Sequence, residues 1–261
     1  MVSCCKYTWL SVALLLLVAC SSPAEEQVIK REGMAYTMID QAIAAHGGDR
    51  YERMVAQFTF RGTPFTIRQD GGLFTYKQVK VDSLGDTTTY HLDNDGFRKT
   101  LNDQPNEQWA EKEKARYGET TNSVVYFALL PFGLQSNAVI AEYLDSVNIK
   151  GNPYHKIQVT FREEGGGEDF EDVFLYWIHA KSHTMDYLAY EYHTNGGGMR
   201  FRDAYRVHTV NGIRWQDYIN YKPKDASVSL HQLDSLFVAG ALERLSTIDL
   251  EDIQVRLLPA T

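Results

Sequence analysis

Apolar and polar residues alternate with a period of two along most of the chain, which predicts a protein built mainly of β-strands. The alternating runs are short, and turns containing glycine, proline or asparagine separate them, a pattern typical of antiparallel meanders. One group of predicted strands precedes residue 104 and a second group follows residue 145. The predicted strands are 57–61, 65–68, 73–81, 87–92, 97–101, 147–150, 154–161, 173–178, 185–192, 199–207 and 213–221.

Two segments depart from this alternation and are predicted to be helical. In residues 34–45, apolar side chains recur at three- and four-residue spacing, and Gly47 and Gly48 provide a helix stop. The second segment, 104–145, separates the two groups of strands and contains Pro131, whose ring interrupts a continuous helix. We therefore expect two or three short helices in this insert. They are predicted over 104–116, 123–134 and 138–144.

The predicted strands at 173–178 and 185–192 carry apolar or aromatic side chains on both faces. A sheet with one solvated face would show polar residues on that face, so both faces of these strands need a cover. The apolar segment 123–134 is one candidate cover. These features predict a mainly β fold with a helical insert. We expect a single large curved antiparallel sheet, a half-barrel, which short helices cover and which keeps a cavity.

The N-terminus has the pattern of a secretory signal. Residues 1–6 are short and basic, and 7–18 form an apolar stretch of about a dozen residues, too short for a permanent membrane span. Residues 17–20, LVAC, resemble the bacterial lipobox, which implies cleavage before Cys20 and lipidation of that cysteine. Because serines and no aspartate follow Cys20, the resemblance points to the outer membrane. An ordinary signal peptide with an incidental cysteine is the alternative.

The chain is therefore predicted to contain a signal peptide over 1–19, a lipidated N-terminus with a polar tether over 20–33, and a single domain over 34–261. This organisation implies a cell-envelope protein that is attached to the outer membrane through the lipid on Cys20. We expect the folded domain to be a monomer.

Charge and cysteine content exclude several classes of function. The net charge of −8 argues against nucleic acid or an anionic bilayer surface as the partner, since both favour basic patches. All three cysteines lie within the first twenty residues, so the mature domain has no thiol for a disulfide, a zinc site or a nucleophile. The sequence also lacks a Gly-x-Ser-x-Gly elbow and a phosphate loop. We expect no catalytic residues, no bound metal and no cofactor.

Several short motifs resemble an uncharacterised family of lipoproteins from Bacteroidota-type bacteria. The motifs are His46-Gly47-Gly48, Leu130-Pro131-Phe132, Tyr176-Trp177, Leu188-Ala189-Tyr190 and Arg200-Phe201-Arg202. More remotely, the order of helix, meander, helical insert and second meander is similar to the LolA/LolB lipoprotein-carrier fold. That resemblance implies a curved sheet and a helical lid around a site for acyl chains.

Apolar residues of the insert and of the two strands at 173–192 are the predicted lining of such a cavity. Core packing is the competing interpretation for each of them singly. The predicted ligand-lining residues are Phe127, Leu130, Phe132, Trp177, Tyr187, Leu188 and Tyr190.

His179 and His183 offer the main alternative chemistry. If a short turn joined two strands here, the two Cβ atoms would lie about 5 Å apart, and the imidazoles could share a metal ion. The acidic residues within 168–172 fall at the other end of the preceding strand. We therefore interpret both histidines as exposed turn residues. His46, in the last turn of the first helix, is interpreted as a residue that complements the helix dipole.

Arg200, Arg202 and Arg206 alternate along one predicted strand, and Arg214 lies on its partner. We interpret these arginines as a solvated outer face with cross-strand ion pairs, such as Arg206 with Asp217. Binding of a phosphate or carboxylate head group is the alternative, because the planar guanidinium suits both.

The function expected from these features is a lipid-anchored protein that binds an apolar ligand, either a lipid or a lipoprotein's acyl chain, in the cavity of a curved sheet without catalysis. Two alternatives stay open. One is a metal-dependent or hydrolytic envelope enzyme that uses the His179/His183 region, and the other is a non-catalytic scaffold that binds another envelope protein through a sheet edge. A cavity completely filled by side chains would favour the scaffold.

Overall fold

A computed structural model describes residues 31–106, 108–165, 170–193 and 196–259 of the chain. The predicted signal peptide, Cys20 and all but the last residues of the predicted tether lie outside these ranges. Arg31–Thr261 form one compact unit. Within the described ranges, no helix is both long enough and apolar enough to cross a membrane.

The described strands form two antiparallel sheets of seven strands each. The strands of the first sheet are β1 (Arg53–Phe60), β2 (Thr63–Asp70), β3 (Leu73–Val81), β4 (Thr87–Asp93), β5 (Gly96–Leu101), β6 (Gln104–Pro105) and β14 (Glu251–Leu257). Those of the second are β7 (Val139–Ile149), β8 (Asn152–Phe161), β9 (Val173–His179), β10 (Met185–Tyr192), β11 (Gly198–Val210), β12 (Ile213–Pro223) and β13 (Leu242–Ile248). The spatial orders are β14-β1-β2-β3-β4-β5-β6 and β13-β12-β11-β10-β9-β8-β7.

The mainly β, antiparallel class with a helical cover is confirmed, but the strands lie in two sheets where one continuous sheet was expected. The reason lies in the connections. The chain leaves the first sheet after its edge strand β6 and passes through a helix. It then enters the second sheet at β7, which is an edge strand of that sheet. Near the C-terminus, β13 ends the second sheet, and β14 crosses to pair with β1. The sheets do not close into a barrel.

The helices are α1 (Met34–His46), α2 (Glu111–Leu129) and the short α3 (Leu233–Val238). The helix predicted over 34–45 is confirmed as α1. In the insert, the charged and apolar stretches form a single 19-residue helix, α2, and a short 3-10 turn follows at Phe132–Gln135. Proline disfavours helical geometry in the preceding residue, and α2 ends one residue before Leu130-Pro131.

The helix predicted over 138–144 is wrong, since residues 139–144 belong to strand β7. They pair with β8 along the whole length of the strand, from Val139 opposite Phe161 to Ile149 opposite Asn152. Ladder hydrogen bonds with a partner strand override the weak local preference for helix in this segment.

Strand β9 is covered on both faces, as its sequence predicted. Phe174, Tyr176 and Ile178 lie in a core cluster with residues of α1, whereas Leu175 and Trp177 lie in a separate cluster with residues of α3. Successive residues of a strand point to opposite faces, so α1 and α3 cover opposite sides of the second sheet. The cover by α3 was not predicted from the sequence, because a six-residue helix is too short to show a clear helical period.

Helix α2 contacts both sheets. Val125, Ala128 and Leu129 lie in a core cluster with residues of the first sheet, while Tyr126 and Phe127 pack against the cluster of the second sheet and α1. These two sets occupy adjacent stripes of the helix. Helix α2 is therefore the element that fixes side chains between the two sheets.

His46 differs from its predicted role. It is only 1% exposed, and its Nε2 accepts a hydrogen bond from the backbone N–H of Met185 at 3.0 Å. Because Nε2 is an acceptor, we assign the imidazole proton to Nδ1. His46 is thus a neutral buried residue that connects α1 to the start of β10. The adjacent Gly47 fits closely there, since a Cβ atom would lie 3.2 Å from Cγ1 of Ile213.

Candidate ligand-binding site

A cavity of about 1210 Å³, called here the large cavity, lies between α2 and the two sheets. Residues of β2 and β3 border it on one side, and residues of β8 to β11 border it on the other. The cavity opens to solvent. Its volume lies above the range of about 300–1,000 Å³ that is typical of small-molecule sites.

One face of α2 forms a wall of this cavity. Five of its residues border the space at the three- and four-residue spacing of a single helical face. They are Glu119, Asn122, Ser123, Tyr126 and Phe127. The neighbouring apolar stripe of α2 is fixed against the first sheet, so this face is held in position by the core.

Aromatic rings form the opposite wall. Phe174 and Tyr190 are cross-strand neighbours on β9 and β10, with ring centroids 5.7 Å apart. Phe161 of β8 packs edge-on to Phe174 at 5.6 Å, and Phe127 of α2 lies 5.4 Å from Tyr190. This continuous aromatic surface suits the chain of an apolar ligand.

Two tyrosines, the partly buried Tyr126 and the buried Tyr176, join α2 to this wall. The hydroxyl groups of Tyr126 and Tyr176 lie 2.7 Å apart and share a hydrogen bond. Burial raises the pKa of Tyr126 and the pKa of Tyr176 far above the usual range for tyrosine. Both side chains are therefore neutral at physiological pH, and the wall gains no charge from them.

A second cavity of about 270 Å³, called here the small cavity, adjoins the large one. The two cavities share four bordering residues: Ser123, Phe127, Tyr190 and Arg202. The remaining border of the small cavity is mixed: it combines the polar side chains of Arg61, Gln216, Tyr218 and Asn220 with the apolar side chains of Phe60, Val124, Ala128, Ile248 and Leu250.

Arg202 lies where the two cavities meet. Its side chain is inside the protein, with the residue 8% exposed, so the expected solvated position is wrong for this arginine. The carbon of its guanidinium lies 3.9 Å from the ring centroid of Phe127 and 5.2 Å from that of Tyr190. Its Nη2 donates a hydrogen bond to the Tyr190 hydroxyl at 3.0 Å.

The predicted pair of Arg206 and Asp217 is confirmed, with Nε and Oδ2 2.5 Å apart. However, the register between β11 and β12 shifts between Ala204 and Arg206. The extra residue of this β-bulge places Arg206 on the opposite face from Arg202. The three alternating arginines therefore do not form one stripe.

The predicted lining residues fall into three groups. Phe127, Phe132 and Tyr190 border the large cavity. Leu130 and Leu188 lie in the core cluster beneath it, and neither borders either of the two cavities. Trp177 and Tyr187 lie in the α3 cluster on the far side of the second sheet. Ligand contact by Phe127, Phe132 and Tyr190 stays a prediction.

Several bordering residues were not predicted. Ser123 and Tyr126 could have been found from their positions beside Phe127, because all three residues lie in the helix that was predicted over 123–134. Phe174 could have been found as the cross-strand neighbour of Tyr190. Arg202 belongs to the alternating arginines for which head-group binding was the alternative, but its burial was not predicted, because that depends on the bulge and on the position of α2.

His179 and His183 flank the turn between β9 and β10, as predicted, but both are half-buried, so the expected exposure is wrong. The N–H of His183 donates to the His179 carbonyl at 2.9 Å, and Nδ1 of His179 accepts from the N–H groups of Lys181 and Ser182. His179 therefore stabilises the turn through its ring. In the described part of the chain, no group of three or more His, Cys, Asp or Glu side chains is arranged to hold a metal ion.

Comparisons with known proteins give a family and a set of weak structural likenesses. A family model described as "Family of unknown function (DUF6503)" matches residues 13–250. This match confirms the resemblance to an uncharacterised family, while a Bacteroidota origin and lipoprotein character stay predictions. No curated protein matches the chain.

Among solved structures, the chain is similar to a LolA superfamily protein from Nitrosomonas europaea, with 10% identity over 87% of this chain and 96% of that one and a TM-score of 0.45. It is also similar to a DUF1329 family protein from Desulfovibrio piger, with 10% identity over 84% and 92% of the two chains and a TM-score of 0.41. The lipoprotein LppX from Mycobacterium tuberculosis gives 13% identity over 62% and 88%, with a TM-score of 0.27. At such scores these likenesses carry no argument about a ligand.

Proposed function

The chain belongs to DUF6503, a family of unknown function, and we propose that it binds an acyl chain or lipid in its large cavity without catalysing a reaction. The observation that carries this proposal is the large cavity between α2 and the two sheets. One of its walls is a continuous set of aromatic rings, which buries apolar ligand surface effectively.

The open cavity favours ligand binding over the alternative of a non-catalytic scaffold. A scaffold protein has no need of an unfilled space of about 1210 Å³ within its fold, whereas a carrier or sensor of lipids does. In the β9–β10 turn, the ring of His179 accepts hydrogen bonds from the backbone N–H groups of Lys181 and Ser182, which gives this imidazole a structural role in the turn.

The proposal places the folded domain, as a monomer, at the outer membrane of a cell envelope. Its sequence basis is the lipobox-like LVAC at 17–20 and the polar stretch that follows Cys20. A lipid on Cys20 would hold the domain beside a membrane, the source of acyl-chain ligands.

The test is a cavity-filling substitution on α2. Ser123 borders both cavities, so Ser123→Trp places an indole in the space where the ligand is expected. Thr120→Trp is the matched control, because Thr120 is exposed on the same helix and borders neither cavity. Binding is measured by titration of the delipidated protein with a fluorescent fatty acid and by native mass spectrometry of the protein as first purified.

We expect wild type and Thr120→Trp to bind the fluorescent fatty acid with similar affinity, and Ser123→Trp to bind it about tenfold more weakly or worse. We also expect co-purified lipid in wild type and its loss in Ser123→Trp. Equal binding by all three proteins would place the fatty acid outside the cavity and contradict the proposal, as would an absence of binding to wild type.

A further inference from the structure

No acidic residue in the described part of the chain forms an ion pair with the positively charged Arg202. The residue is 8% exposed, and the only hydrogen bond found there for its guanidinium is the one to the Tyr190 hydroxyl. Its Nε is buried and has no hydrogen-bond partner within the described residues. A buried, unpaired charge is costly, so its presence beside two cavities indicates a ligand that supplies the opposite charge.

The small cavity has the electrostatic character of an anion site. Arg61 and Arg202 border it, and its border as described includes no aspartate or glutamate. The acidic residues Glu52, Glu119 and Asp172 border the large cavity instead. The positive side chains at the small cavity therefore attract an anionic group into that part of the site.

Asn220 adds a second unsatisfied polar group at the same place. It lies directly opposite Arg202 in the pairing of β11 with β12, so the two side chains project from the same face of the sheet. The Oδ1 atom of Asn220 is buried and makes no hydrogen bond to the described residues. Because amide oxygen and nitrogen can exchange places by a flip, Asn220 can offer either a donor or an acceptor to a bound group.

We propose that the small cavity binds the anionic head group of an amphiphile, a carboxylate or a phosphate, whose hydrocarbon chain lies along the aromatic wall of the large cavity. Arg202 contacts the head group, and Asn220 completes its hydrogen bonds. This inference rests on the proposed function, because it assigns the two ends of the ligand to two adjoining parts of one site.

The surroundings of Arg202 suit this role. Phe127 and Tyr190 contact its guanidinium, which restricts the orientation of the charged group before the ligand arrives. A pre-oriented guanidinium can donate parallel hydrogen bonds to two oxygens of a carboxylate or phosphate. Phe127 and Tyr190 also border both cavities, so the point where the head group joins the chain falls between these two rings.

The test uses three probes that share a sixteen-carbon chain and differ in the head group: hexadecanoate, hexadecyl phosphate and hexadecanol. Each is titrated against delipidated wild type, Arg202→Gln and Arg202→Lys, with displacement of a fluorescent neutral alkyl probe as the readout. Arg244→Gln is the matched control, because Arg244 is exposed on β13 of the same sheet and borders neither cavity. Thermal unfolding of each variant checks that it is folded.

We expect wild type and Arg244→Gln to bind at least one of the two anions about tenfold more tightly than hexadecanol. In Arg202→Gln we expect the preference for the anion to disappear, while the affinity for hexadecanol stays within about twofold of the wild-type value. We expect Arg202→Lys to retain part of the preference. If hexadecanoate binds more tightly, the ligand is a free fatty acid, and if hexadecyl phosphate binds more tightly, the ligand is a phosphate-bearing lipid.

If Arg202→Gln keeps the preference for anions, the head-group assignment is wrong while the proposed lipid binding stands. Loss of hexadecanol binding together with anion binding in a folded Arg202→Gln would also overturn the assignment, since it would show that Arg202 only shapes the cavity. Failure of all three probes to bind wild type would instead contradict the proposed function itself.

Discussion

His46 shows how burial changes the chemistry of a single residue. It lies in the last turn of α1, where a charged histidine would complement the helix dipole. Burial and, to a smaller extent, the positive charge of Arg214 lower the pKa of His46 to about 3, against a smaller opposing effect of the Leu130 carbonyl. The neutral imidazole instead accepts the hydrogen bond from Met185.

The lowered pKa of His46 predicts that the folded protein becomes less stable at acidic pH. The unfolded chain protonates His46 below about pH 6.5, whereas the folded protein does so only near pH 3, so the unfolded state binds more protons between these values. The contribution of neutral His46 to the unfolding free energy is therefore fully present above about pH 6.5 and is lost as the pH falls towards 3. Between pH 7 and pH 5 we expect the loss of about 2 kcal/mol of unfolding free energy.

Urea unfolding at the two pH values measures this loss. In His46→Gln, whose amide does not titrate, the drop in unfolding free energy between pH 7 and pH 5 should be smaller than in wild type by about the same 2 kcal/mol. His193→Gln is the control, because His193 is exposed and its replacement should leave the wild-type pH dependence in place. An equal pH dependence in His46→Gln and wild type would show that His46 is not the responsible group.

Helix α3 is attached to the outer face of the second sheet by a buried ion pair. Nζ of Lys156 on β8 lies 2.8 Å from Oδ2 of Asp234, and the two side chains are 8% and 10% exposed. The same carboxylate oxygen accepts from Nε1 of Trp177 at 3.2 Å, and Lys156 also donates to the carbonyl of His231. Around this polar centre, Leu233 and Phe237 contribute the apolar contacts of the helix.

Removal of one partner should be costly at this site. Asp234→Ala leaves the Lys156 ammonium buried without its carboxylate, and we expect the unfolding free energy to fall by about 3 kcal/mol or more. The double variant Lys156→Met with Asp234→Ala should recover much of this loss, because it removes the uncompensated charge as well. Chemical denaturation of the two variants and of wild type measures both effects.

The exposed pair of Lys222 and Glu243 provides the comparison. Their charged atoms lie 3.3 Å apart, but the side chains are 40% and 49% exposed. Solvent screens such a pair, so Glu243→Ala should change the unfolding free energy by less than about 1 kcal/mol. A similar small change in Asp234→Ala would mean that the apolar contacts alone hold α3 in place.

For the whole molecule, the predicted lipid anchor determines where the domain acts. In a bacterial host that processes lipoproteins, we expect the full chain to partition into the detergent-rich phase of a Triton X-114 extract, and Cys20→Ala to remain in the aqueous phase. Cys5→Ala is the matched control, since Cys5 lies within the predicted signal peptide, upstream of the predicted cleavage site. Partition of Cys20→Ala with wild type into detergent would show that this cysteine does not anchor the protein.

Local sequence signals predicted the elements that depend on neighbours along the chain. The alternating runs gave most strands of both meanders, and the spacing in 34–45 gave α1. Asn211 and Gly212 form a two-residue turn, with φ angles of 48° and 78°, and this turn sets Arg206 opposite Asp217. Such features follow from side-chain periodicity and backbone preference alone.

The sequence by itself determined the mainly β class, the meander order and the need for a cover on both faces of β9, because these follow from patterns within a few residues. Only the tertiary structure decided the division into two sheets, the strand identity of β7 and the cover by α3, since these depend on pairing partners distant in sequence. It also brought Arg202, Phe127 and Asn220 together, because the β-bulge in β11 and the position of α2 set which side chains face one space.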